Sequence, residues 1–199
     1  MPIRLIVGLG NPGAEYEHTR HNAGQLFVER LAEASRISLE RTDKFFGRTG
    51  RGVIAGEDVR LLIPTTFMNR SGQSVGAMAQ FYKIEPPDML VAYDEVAFLP
   101  GVVRLKKGGG LNGHNGLRDI VASLAQRDDF VRLRIGVGHP GDKSLVSAYL
   151  TGRRMPAEER KLLQAVFDQV LAVLPLAVRG DLSGAMNALH TDPPGEKPG

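Results

Sequence analysis

The chain has no cysteine. This excludes disulfides and thiolate-held metals, and it is compatible with a reducing compartment. The sequence shows no apolar run of the length a membrane span needs, and none is expected. The opening stretch MPIRLIVGLGNPG lacks a signal-peptide layout, because its apolar run is short and alternates like a strand. An excess of one charge is also missing. With 25 Lys and Arg against 22 Asp and Glu, the net charge is only +3, which permits a polyanionic partner without demanding one.

The remainder is the composition of one folded unit. The chain has 199 residues, 42% of them hydrophobic, enough for a single sizeable core. Apolar runs at 3–9, 58–63, 88–93, 102–106 and 131–137 predict strands. Between them lie helical patterns. Asn22 and Gln25 have capping-box spacing before a helix running to Ala34. Val75, Met78, Ala79 and Tyr82 share one helical face, as do Leu117, Ile120, Val121 and Leu124. Pro156 opens the strongest helix, with Glu158 and Glu159 in its first turn and an apolar face from Leu162 to Leu174. Strands interspersed with helices predict a single α/β domain over 1–191, with helices on both faces of a sheet that the pattern leaves parallel or mixed. Residues 192–199 read as a disordered tail.

Gly8-Leu9-Gly10-Asn11-Pro12-Gly13 matches the G-x-G-x-x-G dinucleotide fingerprint after a strand. That fingerprint needs a helix to begin inside it. Pro12 removes an N–H, and the residues that follow show no helical face, so a tight turn presenting Asn11 is the better reading.

The chemistry gathers around this turn. His21 lies in the loop after the first strand, where α/β folds place ligands, and histidine is the natural base near neutral pH. Asp94, at the end of another strand, is of the type that orients an imidazole, although a turn aspartate would read the same. His18 and His21, near Glu15 and Glu17, suggest metal ligation only weakly, since no third ligand is evident. No metal or cofactor is expected. The stretch RLKKGGGLNGHNG sets Arg104, Lys106 and Lys107 beside a glycine-rich loop, either a phosphate contact or a solvated strand end. Asn115 reads as an N-cap. Phe67 and Met68, after a strand, can stack on a base or fill the core.

The blocks GLGNPGAEYEHTRHNAG, KFFG, LLIPTTFMNRSGQSV, YDE, GGGLNGHNGLRDI and RLRIGVGHPGD follow one another in the order seen in bacterial peptidyl-tRNA hydrolases. The resemblance runs from Ile3 to about Leu189. It implies a twisted mixed sheet in a monomeric, cofactor-free cytoplasmic enzyme acting on peptidyl-tRNA, with no membrane and no obligate protein partner. It further implies that His21 is the general base, that Asp94 orients it, and that Asn11 helps distinguish a blocked amine from a free one. Tyr16, Phe67, Asn69 and Asn115 would line the groove for peptide and tRNA end, with Met68 packed beneath. Arg104, Lys106 and Arg134 would face tRNA phosphates, and GHPGDKSLVSAYLTG would be the lid. Two positions depart from the pattern: Ala97 stands where an Asp is usual, and Lys107 where an apolar residue is frequent. A non-catalytic RNA-binding relative of the same fold is the competing reading, and the presence of His21, Asp94 and Asn11 argues against it.

Overall fold

The alternation of apolar residues along the strands sorts the core into two layers on one sheet. The computed structural model describes residues 1–190; the tail expected over 192–199 lies outside the described residues. The strands are β1 (Leu5–Gly8), β2 (Glu40–Thr42), β3 (Gly47–Ile54), β4 (Glu57–Pro64), β5 (Met89–Glu95), β6 (Val103–Lys107) and β7 (Val131–Gly136). They form one sheet in the order β2-β3-β4-β1-β5-β7-β6. The central strands β4, β1, β5 and β7 are parallel, and β3, β2 and β6 are added antiparallel at the edges. The sheet is therefore mixed.

Helices α1 (Ala23–Ala34), α5 (Ala157–Val178) and α6 (Leu182–Leu189) cover one face, meeting Ile6, Leu61, Ile63, Leu90, Leu133 and Ile135. Helices α2 (Ser71–Tyr82) and α3 (Asn115–Ser123) cover the other, meeting Leu5, Val7, Leu62, Val91 and Tyr93. The short helix α4 (Val146–Thr151) buries no residue.

All five expected strands are present. The two that sequence patterning misses, β2 and β3, have a physical reason for their silence. Glu40, Arg41 and Thr42 are polar, and β3 carries Gly47, Gly50 and Gly52 in place of an apolar face. Space dictates those glycines: a Cβ at Gly50 or Gly52 would stand 2.6 Å from Ile37.

As expected, no helix begins within GLGNPG: a short 3-10 turn, Ala14–Tyr16, follows, and α1 starts only at Ala23. Two local expectations are corrected. The Asn22–Gln25 capping box does not form, because the Asn22 side chain bonds the backbone of Asn11 and Gln25 donates to Glu29. Asn115 is not the cap of α3. His114 is, its ring accepting from the Leu117 amide.

A third correction concerns α5, which is 22 residues long and contains an 18-residue window with a mean hydropathy of 1.6. By length and composition alone it reaches the criterion for a span, against the expectation that no such run existed. Its apolar face packs on the sheet instead, with Leu163, Val166, Phe167, Val170 and Leu174 buried and Leu162 left 45% exposed.

Helix α1 lies directly on the strands that carry the site, and Gly24 permits that approach. A Cβ there would stand 2.0 Å from the Ala92 carbonyl oxygen and 2.8 Å from the Leu9 nitrogen. Gly24→Ala is expected to destabilise the fold by roughly 1–3 kcal/mol, the usual cost of overpacking. Gly76→Ala, inside α2 with its nearest neighbour at 3.4 Å, is expected to stabilise by about 0.5–1 kcal/mol. Denaturant midpoints at unchanged m-value test both; a neutral Gly24→Ala would show that α1 can lift off β5 freely.

Candidate active site

Parallel pairing of β1 with β5, in a register that sets Gly8 beside Ala92, brings two chain segments to the same edge of the sheet. The chain leaves β1 through Leu9 to Asn11 and returns through the 3-10 turn Arg20–Asn22, which carries His21. The end of β5 carries Asp94 and Glu95. This is the edge at which α/β sheets place their ligands.

Asp94 is the centre of the arrangement. It is 3% exposed, and each of its oxygens receives one imidazole. His21 Nδ1 donates to Oδ2 at 2.8 Å, and His114 Nε2 donates to Oδ1 at 2.9 Å. The two rings lie 5.0 Å apart. Burial alone would raise the Asp94 pKa, but the charges and hydrogen bonds of His21 and His114 outweigh it and hold the carboxyl far below its usual range. Asp94 is thus an anion that only accepts, which puts the proton of His21 on Nδ1 and leaves Nε2 with a lone pair. The Nδ1 of His114 takes the Leu117 amide at 3.3 Å, so its proton sits on Nε2. For His21, burial disfavours the imidazolium, but the charge of Asp94 and its hydrogen bond win, and the pKa lies above its ordinary value of 6.5.

A cleft of about 650 Å³ opens at His21, Asp94 and His114, walled by Glu95, Val96, Asn112 and Asn115 and by Val146, Ser147, Leu150 and Thr151 around α4. Asn11 lies beside a second, more polar depression with Pro12, Asn22 and Thr65. Its placement is rigid: the Asn22 side chain accepts from its N–H at 2.8 Å and donates to its carbonyl at 3.0 Å. The Met68 N–H donates to Asn11 Oδ1 at 2.7 Å, so the Asn11 Nδ2 hydrogens point elsewhere, with no partner among the described residues.

The other expected site residues divide. Met68 is buried, and Phe67, 58% exposed, stands beside it. Asn69 and Asn115 are exposed and Tyr16 half-buried. Of the expected groove residues, Asn115 borders the main cleft; Tyr16, Phe67 and Asn69 do not. Register sets Arg104 opposite Arg134 and Lys106 opposite Arg132 on one face. Their charges are not equally available. Arg134 donates to Glu95 Oε1 at 2.7 and 3.0 Å and lies over the Phe98 ring. Arg132 is buried, its guanidinium donating to the carbonyls of Gly110 and Asp128. Arg104 and Lys106 have no carboxylate partner among the described residues.

Sequence reasoning missed His114, Glu95 and Asn22. His114 was one histidine among five, and its bond to Asp94 spans 20 positions without a motif. The sequence pattern gives Glu95 no role, yet it is 2% exposed and, besides Arg134, receives Asn112 Nδ2 at 3.0 Å. Asn22 carried a signal that pointed the wrong way, to a cap.

His21, Asp94 and His114 also bring three ligand-type atoms within 4.8 Å, a donor set a divalent ion accepts. Here the ring nitrogens facing Asp94 are the protonated ones, so an ion would have to displace both hydrogen bonds. His18 adds no ligand to this group.

Comparison with known proteins gives the arrangement its relatives. A family model described as peptidyl-tRNA hydrolase matches residues 5–197. A peptidyl-tRNA hydrolase of Pseudomonas putida is 59% identical over 189 residues, 95% of this chain and 97% of that protein. One of Pseudomonas fluorescens is 58% identical with the same coverage. The crystal structure of peptidyl-tRNA hydrolase from Acinetobacter baumannii matches with a TM-score of 0.91 at 52% identity, over 95% of both chains. Sequence, family model and fold thus agree over nearly the whole length, and the chain belongs to the peptidyl-tRNA hydrolase family.

Proposed function

We propose that this chain hydrolyses the ester joining a peptide, or an N-blocked amino acid, to the 3′ end of tRNA, releasing both for reuse in translation, and that it works as a cytoplasmic monomer without cofactor. The observation that carries the reading is the lone pair of His21 Nε2, fixed by Asp94 at the mouth of the cleft, on the same loop as an immobilised Asn11.

An ester is an activated bond, so a positioned water, a base and one or two amide donors suffice. His21 Nε2 takes a proton from water as the water oxygen attacks the ester carbon. Asp94 holds the ring and stabilises the imidazolium that forms. The proton then passes to the departing ribose oxygen, and the His21 base is regenerated. Asn11 Nδ2, oriented by the Met68 amide, supplies a donor for a substrate carbonyl or for the charge developing on it. Asn69 and Asn115 hold the peptide, Phe67 offers a stacking face with Met68 behind it, and Tyr16 closes the groove. Arg104, Lys106 and Arg134 position the tRNA through its phosphates.

His21→Ala is expected to lower turnover of peptidyl-tRNA by about 10²–10⁴-fold, the scale of base catalysis, with an unchanged circular dichroism spectrum. A mutant retaining more than about a tenth of wild-type turnover would remove His21 as the base.

The pH dependence follows from His21. It must be neutral to act and its pKa is raised, so turnover should climb with pH through a midpoint above 6.5. Asp94→Asn removes the charge that raises it and leaves the burial that lowers it, so the midpoint should move down while turnover falls by less than in His21→Ala. An unmoved midpoint would exclude Asp94 from the mechanism.

Arg104→Ala and Lys106→Ala are expected to raise KM for peptidyl-tRNA at near-constant kcat. The slope of log affinity against log salt should flatten by roughly 0.7–0.9 for each phosphate no longer neutralised. Arg134→Ala releases Glu95 as well and should disturb kcat too. A minimal blocked aminoacyl ester that suffers from Arg104→Ala as much as full-length tRNA does would place that residue in the cleft's own support.

A further inference from the structure

Helix α4 stands beside the cleft, with Leu150 as its one partly buried apolar contact to the core. None of its residues is buried, and residues 141–145 before it are all exposed. Its main polar tie runs through the residue next to the proposed base. Arg20 is 2% exposed and shares the 3-10 turn with His21. Its Nε and Nη2 donate to the two oxygens of Glu159, in the first turn of α5, at 3.0 and 2.9 Å. Its Nη1 donates to the Tyr149 carbonyl in α4 at 3.2 Å. The guanidinium carbon lies 3.9 Å from the centroid of the Tyr149 ring, and the Tyr149 hydroxyl donates to the carbonyl of Val137, just beyond β7.

One planar cation is therefore gripped by a carboxylate, a peptide carbonyl and an aromatic face. Only a guanidinium satisfies all three at once; an ammonium has neither the fork nor the flat face. Glu159 fixes the plane of the guanidinium by a two-bond fork, and the plane fixes the ring of Tyr149. Neither Arg20 nor Tyr149 borders the cleft, whereas Val146, Ser147, Leu150 and Thr151, on α4, do.

We infer that Arg20 and Tyr149 are positioning residues. Their stack sets the height of α4 beside His21, and so the width of the cleft that receives the ester end of peptidyl-tRNA. The inference rests on the hydrolase reading and adds to it a mechanical link between the base-bearing turn and the cleft's outer wall. Misplacement by an ångström costs a reaction far more than it costs binding, so the link acts on kcat.

The test measures kcat, KM and the acid-limb midpoint for peptidyl-tRNA in wild type, Arg20→Lys, Tyr149→Phe, Tyr149→Leu and the Arg20→Lys, Tyr149→Leu double variant. Because Tyr149 lies on a helix with no fully buried residue, Tyr149→Leu is expected to fold even if loss of the Arg20 fork does not. Tyr149→Leu should lower kcat by about ten-fold or more with the midpoint unmoved, since the His21–Asp94 pair is intact. Tyr149→Phe, which keeps the ring, should retain most activity. The double variant should be no worse than the worse single, as expected of residues acting through one contact. Amide hydrogen exchange over 146–151 should quicken while β5 stays protected.

A Tyr149→Leu kcat within about two-fold of wild type would overturn the inference, as would multiplying effects in the double variant. It also fails if the loss of kcat merely follows the unfolded fraction. Inactive wild type would sink the hydrolase reading itself; active wild type with unaffected variants sinks only the link.

Discussion

A carboxylate kept ionised inside a protein must be surrounded by donors, and Asp94 has them on both oxygens. Burial pushes its pKa up, and the charges and hydrogen bonds of His21 and His114 push it down further. The two histidines come from opposite directions in the chain. His21 arrives from the turn after β1, and His114 from the first turn of α3, where it also caps the helix. The ion thus ties the two layers of helices together at the sheet edge as well as serving the chemistry. Its two partners are not equivalent. The far nitrogen of His114 is occupied by a helix amide, whereas that of His21 has no partner among the described residues. The helix end thus makes one histidine a fixed donor and leaves the other available as a base.

The sequence made the parallel core legible because buried strands are apolar throughout. The runs around Ile6, Leu61, Val91 and Leu133 need no partner to be recognised. It concealed β3 because a strand with glycines at 47, 50 and 52 carries its reason in other segments: the Ile37 side chain fills the space at Gly50 and Gly52, and Ile63 and Leu62 that at Gly47. The site followed the same division. His21 and Asp94 were visible because each follows a strand, and position relative to a strand end is a local property. Asn22 and Gln25 looked like a capping box, but the competing demand of the Asn11 backbone, eleven residues away, took the Asn22 side chain. Asn115 lost the cap to its neighbour His114 for a related reason, since a ring already held by Asp94 costs little further entropy to place against the helix.

Positive charge divides according to whether a carboxylate is near. Arg104, Lys106, Arg132 and Arg134 share one face by register, and like charges opposed across strands repel. The fold relieves this by pairing Arg134 with Glu95 and burying Arg132 under the carbonyls of Gly110 and Asp128. What remains for solvent is a smaller patch than the sequence suggests, centred on Arg104 and Lys106. Glu95 gains a second role from the same arrangement. By accepting from Asn112 it draws the loop before α3 onto the end of β5, and that loop leads directly to His114. The departure at Ala97 falls here: its backbone N–H donates to the Glu95 carboxylate at 3.3 Å, a contact that asks nothing of the side chain.

On the hydrolase reading, the neutrality of the remaining site residues has a physical logic. Peptides of any sequence share only their backbone, and each peptide unit presents one donor and one acceptor. A side chain that recognises the backbone without regard to sequence should present the same pair and carry no charge that would favour one class of peptide. Asparagine does both on a short, stiff arm. Asn11, Asn69 and Asn115 are three such groups, and Asn11 shows how far the fold goes to hold one still. Its backbone is fixed by a second asparagine and its side-chain carbonyl by the Met68 amide, so a single kind of hydrogen-bonding capacity faces outward. A charged residue in its place would hold an oxyanion more strongly. Buried to the same 8% exposure on the loop that carries His21, it would also need its own counter-ion and would shift the base it was meant to assist. Neutral amides around Asp94, with the neighbouring Glu95 already paired to Arg134, leave Asp94 as the carboxylate that sets the basicity of His21, which then depends on the protein and not on the peptide being released.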